Sequence, residues 1–85
     1  MPPNLTPPPF DPPDAPSQVP ARWNSVSATA QKALARLWQH GDQPGSAAGA
    51  ELLAALLVRG VSGAYEITTR GYQATAWALG AGVLP

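Results

Sequence analysis

The stretch LLAALLVRGVSGAYEITTRGYQA, residues 52–74, changes hydrophobic period twice, and the architecture hangs on those two changes. Leu52, Leu53, Leu56 and Leu57 follow helical spacing. They make the broad apolar face of a helix predicted over 47–59, AAGAELLAALLVR, with Ser46 as its cap and Gly60 as its stop. Glu51 early and Arg59 late suit the helix dipole. This helix is expected to supply most of the core, with Leu56 inside it. From Val61 the period drops to two. Val61, Tyr65 and Ile67 share parity, and Gly63 offers a tight reversal, so a very short hairpin fits. Thr68 then caps a further helix over 69–79, ended by Gly80, with Tyr72, Ala76 and Leu79 along one side.

Upstream, Ser27 caps a helix predicted over 28–40, with Gly41 as a left-handed stop. Ala30, Ala33, Leu34, Leu37 and Trp38 form its apolar stripe, and Lys32, Arg36 and Gln39 take the other side. GDQPGS, residues 41–46, is a turn-forming connection. Residues 1–20 hold nine of the 11 prolines, which fix φ and bias each preceding residue toward extended backbone. The expected organisation is a Pro-rich extended arm over 1–21, a three-helix domain with a two-stranded hairpin over 22–80, and an apolar tail over 81–85. Leu5, Phe10 and Val19 give the arm spaced apolar anchors for docking. Removal of residues 1–20 is expected to leave the stability of the body nearly unchanged.

The order helix, helix, hairpin, helix resembles the winged-helix family, and residues 52–74 carry the specific likeness. They resemble the end of a recognition helix, its RG-V exit, a wing closing on Y-x-I-T, and the T-x-x-G start of the next helix. Residues 27–38 resemble the family's opening helix, and the likeness runs over about residues 25–79. It implies a mainly α, winged-helix-like fold, truncated by one helix before the wing. The departure bears on function. The helix in the recognition position begins Ala47-Ala48-Gly49-Ala50, where a DNA reader presents polar side chains to base edges. The wing, Ser62-Gly63-Ala64, has no Arg or Lys.

Composition narrows the function. A chain of 85 residues supports one domain with a thin core. With no cysteine, neither disulfides nor zinc thiolates can reinforce it. Charged residues make up 12% of the chain and sum to zero, which is no footprint for nucleic acid. Residues 1–20 contain no basic n-region or apolar h-region, and the longest apolar run is Leu52–Val58, so a cytoplasmic protein without a membrane span is expected. Abundant alanine and the use of Arg over Lys resemble a GC-rich bacterial genome or one of its phages.

Catalysis finds no constellation. His40, the one histidine, stands at a helix C-terminus beside Asp42, where a charge–dipole contact outweighs a general base. No serine sits in a nucleophile elbow, and Gly41, Gly45 and Gly49 lack the lysine of a phosphate loop. No enzyme activity, cofactor or metal is therefore expected. Trp38 is expected in the core, whereas Trp23 and Trp77 are candidate interface anchors. The leading expectation is a protein-interaction module, a small accessory or inhibitory protein of phage or mobile-element type (anti-defence or anti-CRISPR-like) that docks on a larger complex. Phe10, Trp23 and Trp77 would make its contact, with Arg36, Arg59 and Arg70 at the rim. The alternative is a dimeric winged-helix DNA-binding regulator using Gln43, Ser46, Arg59 and Arg70.

Overall fold

The computed structural model describes residues 12–84. It is mainly helical, with one two-stranded antiparallel hairpin. A 3-10 turn, Pro16–Gln18, leads into α1, Val19–Trp23, and α2 follows over Ala28–His40. Then come α3, Ser46–Ala54, the strands β1, Val58–Val61, and β2, Ala64–Ile67, and finally α4, Thr69–Ala81.

Helix α2 begins and ends where its sequence directs. The Ser27 side chain accepts from the Ala30 amide, and Gly41 closes the helix at φ +73°. Thr68 caps α4 in the same way by accepting from the Gly71 amide. The end of α4 is later than expected. Gly80 stays helical, and Gly82, at φ +73°, makes the stop.

The helix expected over 47–59 starts one residue earlier, at Ser46, and ends at Ala54, well short of the expected end. Gly45 holds the cap position and Ser46 is the first helical residue. At the other end the chain leaves the helix at Leu56, in left-handed conformation with φ +64°. The Leu56 amide donates to the Leu53 carbonyl and the Leu57 amide to the Leu52 carbonyl, at 3.0 and 2.9 Å. That double bond pattern is a Schellman stop with leucine in the place glycine usually takes. Its accompanying apolar contact joins Leu52 and Leu57, both fully buried in the core. Leu56 is turned outward as a result and is 49% exposed, contrary to its expected burial. The chain thus enters β1 at Val58, and Gly60 is a strand residue, not a helix stop.

The hairpin pairs Val58 with Ile67, Arg59 with Glu66, Gly60 with Tyr65 and Val61 with Ala64. Its two-residue turn, Ser62-Gly63, has positive φ at both positions, the geometry that suits the twist of flanking strands.

The expectation of an extended segment through residue 21 is corrected over the described residues. Pro16 opens the 3-10 turn and Pro20 lies in the first turn of α1, where a missing amide proton costs nothing. Helix α1 packs chiefly on α4. Trp23 ends it at 1% exposure, among the largest buried side chains. The core centres on Trp23, Leu34, Leu52, Leu57 and Val58, with Ala74 and Ala78 from α4. Gly71 explains how closely α4 approaches: a Cβ there would lie 2.2 Å from the Leu57 carbonyl oxygen. Leu84 folds back onto the core, while Val83 is exposed.

Candidate functional site

The charged and amide side chains are largely spent on holding the fold. Asp14 is the centre of one such network. Its carboxylate, 4% exposed, is paired with Arg22 of α1 and with Arg70 of α4, the latter at 3.1 Å. Hydrogen bonding to the Arg22 guanidinium, outweighing the effect of burial, holds the Asp14 carboxyl below its usual range. Arg22 also donates through Nη1 to the Ala55 carbonyl at 2.7 Å, tying α1 to the end of α3. Arg70, expected at the rim of an interface, is therefore an internal tie.

Gln43, expected in one reading to meet DNA, is committed to the hairpin. Its Oε1 accepts from the Tyr65 amide at 2.7 Å, and its Nε2 donates to the Tyr65 carbonyl at 3.1 Å. Arg59 pairs with Glu66 directly across the strands, through Nε at 3.2 Å and Nη2 at 3.1 Å. Glu51 reaches from α3 to the start of α2, accepting from the Ser27 amide at 2.9 Å and its hydroxyl at 2.8 Å. Those bonds hold the Glu51 carboxyl low as well.

The remaining candidates are scattered. Trp23 is sealed in the core and cannot serve as an exposed anchor. Trp77 is half-buried and packs against that core. Trp38, expected in the core, is also half-buried. Ser46 is exposed at the start of α3. Arg36 is exposed and lines a shallow depression on α2 with Lys32, Gln39 and His40. Phe10 lies outside the described residues. His40 and Asp42 are exposed, and no hydrogen bond joins them. Among the described residues no set of His, Cys, Asp or Glu side chains could hold a metal, and no helix is long and apolar enough to cross a membrane.

The sequence pattern placed Tyr72, Ala76 and Leu79 along one side of α4 but did not say which way that side faces. The helix buries a line of small residues, Gly71, Ala74, Thr75 and Ala78. The line Tyr72, Ala76 and Leu79 consequently faces out, with Tyr72 at 55% and Leu79 at 52% exposure. Exposed Val83 follows just beyond the helix end. The signal was present in the spacing. A small-residue line at i, i+3, i+4 and i+7 competes with the larger apolar line for the core, and close helix packing selects the small one. Leu53 and Val61 are further exposed apolar residues, near the hairpin. Comparison of the chain with family models, with curated proteins and with solved structures finds no match.

Proposed function

We propose that this chain is a non-enzymatic protein-docking module on a winged-helix-like frame, with the outer face of α4 as its contact surface. The observation that carries the reading is the exposed line Tyr72, Ala76 and Leu79, backed by Val83. Contiguous apolar groups left outside a domain this small mark an interaction surface. A helical stripe of this spacing suits an amphipathic partner helix, with Tyr72 and Leu79 as the anchors. The element order α2, α3, hairpin, α4 supports that frame. In a cell, such a module acts as a small accessory or inhibitory subunit of a larger complex.

Protein is favoured over DNA because three of the four residues a DNA reader would use, all but exposed Ser46, are engaged within the fold. Gln43 is bound to Tyr65, Arg59 to Glu66 and Arg70 to Asp14. A chain with five basic residues and zero net charge also gains little from counterion release. The test places a photoreactive amino acid at position 79 of the full chain in its native host. A discrete protein adduct at position 79, absent when the label sits at Lys32, is the expected result. Crosslinking to DNA instead, or a steeply salt-dependent shift of duplex DNA at micromolar protein, would overturn the reading in favour of the regulator.

A further inference from the structure

The two edges of the hairpin are treated differently. On β2 the outward amide and carbonyl of Tyr65 are both satisfied by the Gln43 side chain, which closes that edge to further pairing. Because those groups point to Gln43, the pair Gly60–Tyr65 is the non-hydrogen-bonded kind. The amide and carbonyl of Gly60 therefore face away from β2, along the outer edge of β1. Among the described residues no third strand covers that edge, Gly60 is exposed, and nothing stands within 4 Å of where its Cβ would be. Edge strands are normally guarded by a charge, a proline, a bulge or a covering element. The one charge on β1, Arg59, is matched within the hairpin by Glu66.

We propose that β1 is a self-pairing edge, through which two copies of the chain join antiparallel about Gly60 into a four-stranded sheet. A two-fold axis at Gly60 pairs each Gly60 amide with the other copy's Gly60 carbonyl and places Arg59 opposite Val61 of the second copy. The register is chemically consistent. Exposed Val61 gains cover from the aliphatic stem of the opposite arginine, and that arginine's charge is already balanced. Glycine at the axis leaves no side chain to hold the two backbones apart. Leu53, exposed, lines one shallow depression with Gly60, Gly63, Ala64 and Tyr65, so the same axis brings the two Leu53 side chains toward each other.

A second copy is favoured over the chain's own N-terminal segment. Residues 1–11 contain five prolines, whose nitrogens donate nothing to a sheet. The edge is four residues long. A four-residue edge makes a smaller contact than the roughly 800 Å² per partner of a standard interface, so the association is expected to be weak and reversible.

Sedimentation of the full chain from about 10 µM to 1 mM is the experiment, with amide exchange at Gly60 followed over the same range. A monomer–dimer equilibrium with slower Gly60 exchange at high concentration is expected. N-methylation of the Gly60 amide, introduced by chemical synthesis, removes the outward donor and leaves the hairpin's own pairs intact. It should weaken dimerisation at least tenfold without changing the unfolding transition. Leu53→Glu should weaken it similarly without touching the backbone. A monomer at every concentration would overturn the proposal. So would a dimer indifferent to N-methylation, and one lost through Leu79→Asp alone would belong to α4 instead.

Discussion

The side-chain amide of Gln73 clasps the backbone of Asp14 at both ends. Its Oε1 accepts from the Asp14 amide at 2.8 Å, and its Nε2 donates to the Asp14 carbonyl at 3.0 Å. With Arg22 and Arg70 on the Asp14 carboxylate, this clasp fastens the segment before α1 to α4. Removal of residues 1–20 therefore costs stability, where the proline content alone predicted none. Asp14→Asn should cost about 1–3 kcal/mol, because it leaves two partly buried guanidinium groups without their counter-charge. Chemical denaturation of the full chain and of the substituted chain measures this directly.

The same network sets an acid limit. The folded-state pKa of Asp14 lies below its ordinary value of 3.8. Its contribution is thus complete above that value and is lost as pH falls through the lower, folded-state value. Stability should be level near neutrality and fall below about pH 4, and Asp14→Asn should flatten that fall. Glu51, lowered by its bonds to Ser27, acts in the same direction from an exposed position. Urea midpoints of both proteins between about pH 2 and 7 check the sign.

Leu56 and Leu57, adjacent in sequence, should respond in opposite ways. Leu57 is fully buried, so Leu57→Ala should cost about 2–5 kcal/mol. Leu56 is exposed in left-handed backbone, so Leu56→Ala should cost far less than Leu57→Ala. Leu56→Gly should be more stable than Leu56→Ala by about 1 kcal/mol, because glycine alone adopts that backbone freely. Equal losses at the two positions in denaturant unfolding would mean that the helix continues through Leu57.

Two glycines rank by what stands in front of them. At Gly71 a methyl group meets the Leu57 carbonyl, fixed backbone that cannot step aside. At Gly49 it meets the ring of half-buried Tyr65 at 2.5 Å. A side chain can rotate, although Tyr65 is held nearby through Gln43. Gly71→Ala should therefore cost more than Gly49→Ala, with the second within about 1–3 kcal/mol. Thermal unfolding of the two variants settles the order.

These contrasts also explain how much of the fold was legible beforehand. Helix α2, its caps Ser27 and Gly41, the Thr68 cap and the presence of a short hairpin follow local rules that act within a few residues. The shared parity of Val61, Tyr65 and Ile67 does not carry across the two-residue turn: Val61 pairs with Ala64 and lies on the other face from Tyr65 and Ile67. The α3–β1 junction does not follow local rules. LLAALLV satisfies helical spacing, and nothing local distinguishes Leu56 from its neighbours. The stop arises because burying Leu52 against Leu57 outweighs the strain of a left-handed leucine. For the candidate site the limits were similar. Trp23, Gln43 and Arg70 are residue types that serve interfaces and interiors equally, and their partners lie far along the chain: Asp14 is 56 positions from Arg70. The outward face of α4 was hidden by its size, because large apolar residues read as core until small ones are seen to pack closer.

The proposal that the α4 face is a binding surface, with no part in the core, is tested most directly by the double substitution Tyr72→Asp and Leu79→Asp. Both side chains are more than half exposed, so the unfolding midpoint should shift by no more than a degree or two per position. The protein adduct formed through a photoreactive residue at Ala76 should disappear in the same variant. An adduct that persists at full yield, or a chain that unfolds outright, would contradict the assignment of this face to a partner.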